Sequence, residues 1–256
     1  MIIIEKNFLL EGKIWRLFPK NDTQYVWIEI RNADTFSTYW ACLDTQSGSL
    51  LYNHFNPMTE RWWVGTWGVE AGIALLYRYA NPQQPTPEGI TAIDIAKQHI
   101  LWRMEQGRWL FYEKQTNSVW VAIAETNTFA QLHLRTGAVL KTQNEPPEDF
   151  FDDADESCVV QHYSPESDYF NSITHFLAHF HHIKNIQPKN IQYIETATYF
   201  CVGFWSENNY QMLWCSLGGA ILHQLKSKEE IIFSVTKNYA IGFTAENHLF
   251  LWKYKV

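Results

Sequence analysis

The sequence predicts an all-β repeat fold: a small β-propeller of about five four-stranded antiparallel blades, closed where the N- and C-terminal strands meet. Three observations carry that prediction. Aromatic residues make up 16% of the 256 residues, with 12 Trp and 13 Tyr, and such side chains suit a half-buried pleated surface. One hairpin pattern recurs along the chain. An N-terminal strand is available to complete a final set that otherwise has three strands.

The pattern is a short apolar run ending in a polar residue, a turn with Gly, and two aliphatics leading into an aromatic or polar residue. The clearest copies are Leu43-Asp44-Thr45-Gln46-Ser47-Gly48-Ser49-Leu50-Leu51-Tyr52 and Ile93-Asp94-Ile95-Ala96-Lys97-Gln98-His99-Ile100-Leu101-Trp102. Two more run from Leu132 to Leu140 around Gly137 and from Trp214 to Leu222 around Gly219. Glycine supplies positive φ in a tight turn without steric cost. Gln98 stands where the other copies have Gly, so that turn is expected to be of another type or mildly strained. Between positions 48, 98, 137 and 219 the spacings are 50, 39 and 82. The first two fit one blade each and the third about two.

Strands follow from apolar alternation and turn punctuation. Blade one takes Ile14–Phe18, Tyr25–Ile30, Tyr39–Leu43 and Leu50–His54. Blade two takes Trp62–Trp67, Ile73–Tyr79, Ile90–Ile95 and His99–Arg103. Blade three takes Trp109–Glu113, Val119–Ala124, Ala130–Leu134 and Ala138–Lys141. A fourth set is Ile191–Glu195, Tyr199–Trp205, Gln211–Cys215 and Ala220–Gln224. The last is Ile231–Thr236, Tyr239–Phe243 and His248–Lys253, completed by Ile2–Leu10 or by a strand near Gly12–Trp15. Pairing the chain ends removes sheet edges that invite aggregation.

Residues 143–190 do not fit the repeat and read as one helical insert within a single domain spanning 1–256. The alternative is a sixth, degenerate blade there. The insert begins with an acidic loop. Ser164 is the expected N-cap, Pro165 the first turn, and Glu166 an acid near the positive end of the helix dipole. Tyr169, Phe170, Ile173, Phe176, Leu177 and Phe180 follow at helical spacing, predicting a helix at roughly 165–181.

The formal charge of −7 is local. Glu145, Glu148, Asp149, Asp152, Asp153, Asp155 and Glu156 account for it. No basic surface is implied, which argues against a nucleic-acid partner. No run approaches a membrane span, and Met1-Ile-Ile-Ile-Glu5-Lys6 lacks the apolar core of a signal peptide. The expectation is a cytoplasmic protein with no membrane partner. Cys42, Cys158, Cys201 and Cys215 are scattered, without a Cys-x-x-Cys pair, so neither a disulfide framework nor a zinc site is expected. No nucleophile motif, phosphate loop or dinucleotide fingerprint is present, and no cofactor is expected.

The Leu-Asp-x-x-x-Gly-x-Leu-Leu-Tyr and Ile-Asp-x-x-x-x-x-Ile-Leu-Trp copies resemble the blade repeats of quinoprotein-type propellers, although the chain is short for their cofactor-binding enzymes. Arg61-Trp62-Trp63-Val64-Gly65, Gly89-Ile90-Thr91-Ala92-Ile93-Asp94 and Tyr163-Ser164-Pro165-Glu166-Ser167-Asp168-Tyr169-Phe170 more closely resemble an uncharacterised, mainly Bacteroidetes family classed as a domain of unknown function. That resemblance extends over most of the chain. It implies the fold and no activity.

Blade geometry places the Asn53–Arg61 link, the Asn81–Gly89 loop and the 143–190 insert on one face. Long loops on a rigid scaffold commonly carry binding, so this face is the expected binding surface; the alternative is that the insert plugs the channel. Arg61, Trp62, Arg78 and Arg108 are its candidate ligand-binding residues from the strands, and His162, Tyr163, Glu166 and Asp168 those from the insert. Trp and Arg carry much of the energy of recognition surfaces, while the structural role for the Trp residues is core between blades. Glu166 and Asp168 are candidate partners for the arginines. His175 and His179 share a helix face at metal-ligand spacing, but the segment lacks the Glu of a zincin motif. The acidic loop lacks the ligand order of a calcium loop. The leading reading is a non-catalytic module binding a protein or small molecule. The alternative is a hydrolase or lyase with a His and carboxylate site at the channel mouth, and a third is self-association through the aromatic surface.

Overall fold

The structure is a computed structural model that describes residues 2–20, 23–81, 83–147, 160–236 and 238–255. Cys158 and most of the acidic loop, including every acid in it but Glu145, lie outside them. The chain forms β1 (Ile2–Leu9), β2 (Lys13–Phe18), β3 (Tyr25–Asn32), β4 (Ser37–Asp44), β5 (Ser49–Phe55), β6 (Val64–Glu70) and β7 (Ile73–Asn81). Next come β8 (Gln84–Asp94), β9 (His99–Met104), β10 (Arg108–Glu113), β11 (Ser118–Ile123), β12 (Thr128–His133), β13 (Val139–Gln143) and β14 (Gln161–Tyr163). Helix α1 (Asp168–His181) precedes β15 (Ile191–Glu195), β16 (Tyr199–Ser206), β17 (Asn209–Ser216), β18 (Ile221–Ser227), β19 (Ile232–Val235), β20 (Tyr239–Phe243) and β21 (His248–Lys255).

The fold class is all-β, of the propeller type, built from antiparallel meanders. The described residues form five sheets, ordered β2-β3-β4-β5, β6-β7-β8-β9, β10-β11-β12-β13, β14-β15-β16-β17-β18 and β1-β21-β20-β19. Two compact units hold them: Glu11–Asp155 with the first three sheets, and Met1–Leu10 with Glu156–Val256 with the other two.

The repeat has a structural signature beyond its turns. In all four copies the strand after the turn carries one extra residue. Cys42 pairs with Tyr52 and Leu43 with Leu50, so Leu51 is bulged out of register. The same shift isolates Leu101 between Trp102 and Ile100, Leu140 between Lys141 and Val139, and Leu222 between His223 and Ile221. A bulge re-aims neighbouring side chains and sharpens twist. It accounts for the doubled aliphatic, which a regular strand would send to opposite faces.

The aromatic that follows the doublet joins one sheet to the next. Tyr52 Oη donates to the Ile95 carbonyl at 2.8 Å. Trp102 Nε1 donates to the Leu134 carbonyl at 2.7 Å. Ile95 and Leu134 occupy the same place in successive copies, so one bond type recurs between successive sheets.

Gln98 keeps the glycine conformation rather than another turn. Its φ is +53°, against +66° at Gly48, +68° at Gly137 and +87° at Gly219. A residue with a Cβ pays about 1–2 kcal/mol in this region. Gln98→Gly is therefore expected to stabilise unit Glu11–Asp155 by about 0.5–1 kcal/mol after the added flexibility of the unfolded chain is subtracted. Thermal unfolding should show the midpoint rising by about 1–3 °C; a fall would mean that the Gln98 side chain itself holds the turn.

Two local expectations are corrected. Gln84–Gly89, expected as part of the Asn81–Gly89 loop, is strand, because β8 begins at Gln84 and pairs with β7 as Asn81↔Gln84, Tyr79↔Pro87 and Arg78↔Glu88. Pro85 and Pro87 are tolerated in β8 because β9 pairs with it only from Ile90 onward. Tyr79 donates its N–H to the Trp63 carbonyl at 2.8 Å, so Tyr79↔Pro87 is a non-hydrogen-bonded pair. The N–H that Pro87 lacks is thus missing from the open edge, where proline blunts further pairing.

The second correction concerns the helix start. Ser167, not Ser164, is the N-cap, its Oγ accepting the Tyr169 N–H, and the helix begins at Asp168. Ser164 to Ser167 instead closes a turn, with Ser167 N–H donating to the Ser164 carbonyl at 2.9 Å. Both serines can cap, and the turn led by Pro165 moves the boundary three residues along. Phe170 and Leu177 are buried as the stripe predicts, whereas Tyr169 is 65% exposed. Beside the helix, β14 adds a short edge strand to the sheet of β15–β18.

The terminal strands pair along their length, from Ile2↔Lys255 to Leu9↔His248. Of the two expected closing strands, Ile2–Leu10 takes this place, and Lys13–Phe18 belongs to the first meander.

Candidate functional site

The link from β5 to β6 is a glycine-free turn organised by two polar side chains. Asn56 Nδ2 donates to the Thr38 carbonyl at 2.8 Å, and Asn56 Oδ1 accepts the Met58 N–H at 2.7 Å. Glu60 Oε1 accepts the backbone N–H groups of Arg61 and Trp62 at 2.8 Å and of Trp63 at 3.3 Å. These bonds, led by that from Trp62, hold the Glu60 carboxyl below its ordinary pKa despite slight burial. Backbone donors of the link that would otherwise need water are thereby satisfied.

Beside it lies a cleft of about 320 Å³, lined by Met58 and Glu60 from the link, Arg78 from β7, Glu88 from β8, and Arg103 and Glu105 at the end of β9. Arg78 Nη2 and Glu105 Oε2 are 3.0 Å apart. Arg103 Nη2 donates to the Pro57 carbonyl at 3.2 Å. Glu88 stands directly across the ladder from Arg78. Leu76, Ile90 and Met104 supply the apolar part. The wall therefore combines two guanidiniums and three carboxylates with flexible thioethers. No imidazole or thiol is among the lining residues.

Of the residues expected to bind, Arg78 lines this cleft. Arg61 and Trp62 sit on the turn that Glu60 caps, and the Trp62 ring lies 5.6 Å from the Arg31 guanidinium and edge-on to Phe36. Arg108 is exposed at the start of β10. Trp62 and Trp63 are half-buried, while Trp109 packs against the core shared by β6–β9 and β10–β13, with its ring 6.4 Å from Trp67.

In the other unit, His162 is exposed on β14 and Tyr163 stacks on Tyr169, with ring centroids 5.0 Å apart. Glu166 is held below its ordinary pKa by a hydrogen bond from Ser164, then by its own backbone N–H. Asp168 is the first helical residue. His175 and His179 stack in parallel at 5.9 Å, and no group of three or more metal-ligating side chains occurs among the described residues. His181 Nε2 lies 3.9 Å from Cys215 Sγ. Burial pushes that thiol up to about 11 and, with His182, lowers His181. The pair thus rests as neutral thiol and imidazole, not as an activated thiolate.

Glu60, Arg103 and Glu105 were not nominated from sequence. Glu60 had a readable signal, an acid immediately before three consecutive residues that lead into a strand. Arg103 and Glu105 had none, because their role depends on where the β9 end meets the link.

No described helix is long and apolar enough to cross a membrane. No curated protein matches the chain in sequence. Among solved structures it is similar to BamB from Moraxella catarrhalis, with 11% identity and a TM-score of 0.28, covering 96% of this chain and 60% of that one. It is also similar to a catalytically inactive virginiamycin B lyase from Staphylococcus aureus, with 8% identity, a TM-score of 0.39 and coverage of 99% and 100%. A third is the Dos1 propeller, with 8% identity, a TM-score of 0.35 and coverage of 93% and 69%. The chain thus spans about three fifths of the BamB chain. Residues 20–102 match the family model of a domain of unknown function, DUF4905, a stretch that contains Arg61–Gly65 and Gly89–Asp94 and stops short of Tyr163–Phe170.

Proposed function

We propose that the chain is a non-catalytic binding module whose partner is a protein segment seated in the cleft between the β5–β6 link and the β7–β9 strands. The observation that carries this reading is how the charged groups are held. Arg78 is engaged by Glu105, Arg103 by a backbone carbonyl, and Glu60 by three N–H groups. Groups fixed in this way orient a ligand; general acid–base work needs a group poised to give or take a proton. Mixed charges beside Met58 and Met104 suit a peptide carrying both charge signs and an apolar anchor, since thioethers adapt to irregular shapes.

A phage-displayed dodecapeptide library tests this. Selection on the wild-type protein, with counter-selection on an Arg78→Glu/Arg103→Glu variant, should enrich clones that bind only the wild type. Absence of enrichment, or clones that bind both proteins equally, would overturn the reading. Circular dichroism of the variant checks its fold, because both arginines are substantially exposed.

A further inference from the structure

We infer a second ligand site on the sheet β10–β13, for a neutral polyhydroxyl ring of the saccharide class. The sheet has two unlike faces. Val119, Val121, Ala130 and Leu132 on one face pack with Ile73, Leu75, Ile90 and Ala92 of the preceding sheet. The other face is a cross-strand row, Phe111↔Trp120, Trp120↔Gln131 and Gln131↔Lys141. Glu113 lies on the same face, two residues along β10 from Phe111.

This row lines a cavity of about 660 Å³ with Phe111, Glu113, Trp120, Lys141, Gln143 and Glu145. Phe111 and Trp120 stack at 6.4 Å and 29° at the base of the cavity, only 6% and 5% exposed. The Lys141 ammonium stands 5.7 Å from the Trp120 ring centroid. Glu113 Oε2 gathers Thr116 Oγ1 at 2.9 Å, Ser118 Oγ at 3.4 Å, Trp120 Nε1 at 3.4 Å and Gln131 Nε2. All four donors are neutral. No cation pairs with Glu113 among the described residues, so neutral dipoles preorganise a carboxylate whose other oxygen has no hydrogen bond there. The side chains of Lys141, Asn144 and Glu145 likewise make none among the described residues.

Charge selects the ligand class. Glu113 and Glu145 oppose an anion, and Lys141 opposes a cation. A hydroxyl both donates and accepts, so it can answer carboxylates, an ammonium and side-chain amides together. The volume falls in the range of small-molecule pockets.

Saturation-transfer NMR with maltotriose, cellotriose and chitotriose, followed by calorimetry, tests the site. At least one trisaccharide should bind, and citrate and cadaverine should neither bind at the same concentration nor displace it. Asn144→Ala, an exposed side chain, should weaken binding about fivefold, and Glu113→Gln about tenfold or more. If Glu113→Gln fails to fold, Lys141→Ala takes its place with an expected fivefold loss. Lack of binding by all three sugars, binding unchanged in these variants, or equal binding of citrate or cadaverine would each overturn the inference. The peptide selection reads a different cleft, so either proposal can fail alone.

Discussion

Glu29→Ala is expected to destabilise the Glu11–Asp155 unit by about 3–5 kcal/mol, because it strands a buried cation. The Glu29 side chain is 1% exposed and that of Arg31 13%, with Arg31 Nη2 and Glu29 Oε1 3.0 Å apart. Arg31 also donates to the Val64 carbonyl at 2.9 Å. Glu29 Oε2 accepts the Thr66 N–H at 2.9 Å. That donor sits beside a register shift between Thr66 and Gly68, where the ladder of β6 is broken and a side-chain acceptor is needed. Thr66 Oγ1 in turn accepts Trp27 Nε1 at 3.2 Å and Trp40 Nε1 at 2.9 Å. Both indoles are fully buried.

One carboxylate therefore ties the first meander to the second through the Thr66 N–H, through the Arg31 that it holds against the Val64 carbonyl and, by way of Thr66, through two tryptophans. Removing it leaves Arg31 without its anion and the Thr66 N–H without an acceptor, each a desolvation cost with no return. Removing both charges together, as in Glu29→Leu/Arg31→Met, should cost less than Glu29→Ala alone. Denaturant unfolding of the three proteins tests this, with amide exchange in β3 and β6 to localise the loss. A cost under about 1 kcal/mol for Glu29→Ala would mean that water reaches Arg31 and that the cluster is not sealed.

This cluster also shows where sequence reading stops. The hairpins around Gly48, Gln98, Gly137 and Gly219 were legible because turn chemistry and alternation act within about ten residues. The contacts that carry Glu29 and its neighbour Arg31 to the next meander, by contrast, span 37 and 33 residues, to the Thr66 N–H and the Val64 carbonyl. The local pattern Trp27-Ile28-Glu29-Ile30-Arg31 reads as alternation with a polar outer face, yet Glu29 is buried. Arg31, two residues along, answers one oxygen, and only the packing of one meander on the next brings the Thr66 N–H to the other. The cleft divides in the same way. Arg78 was visible at the end of an apolar strand, while Glu105 closing on it at 3.0 Å required the register of β7, β8 and β9. The prolines of 81–89 misled because proline argues against a strand, and the open side of β8 is a property of its neighbours.

In the unit that contains the chain termini, Trp252→Ala should cost about 3–5 kcal/mol and release β1 first. Trp252 is fully buried, parallel to Phe250 at 5.6 Å and tilted on Trp214 at 4.8 Å. Its Nε1 donates to Glu5 Oε2 at 3.1 Å, and His223 Nε2 lies 3.0 Å from the same oxygen. Glu5 thus joins β1 to β21 and to β18 of the neighbouring sheet, at the place in the fourth repeat copy where Tyr52 and Trp102 stand in the first two.

A conservative pair separates packing from polarity. Trp252→Phe loses the donor to Glu5, whereas Trp214→Phe removes only a buried Nε1 that has no hydrogen-bond partner among the described residues. Trp252→Phe should therefore be the costlier change by about 1–3 kcal/mol. Equal costs would reduce Trp252 to volume alone.

The same contact sets a pH signature. The hydrogen bond to His223 is the largest cause holding Glu5 below its ordinary 4.5, with burial opposing it and Trp252 assisting. A depressed carboxyl stabilises the folded state above its unfolded value, and that contribution is lost as pH falls through the folded value. Unfolding followed from pH 7 to pH 3 should thus show a steeper acid decline in the wild type than in Glu5→Gln, with β1 amides losing protection earliest. Superimposable acid limbs would show that β1 is held by its ladder to β21 and not by the carboxylate.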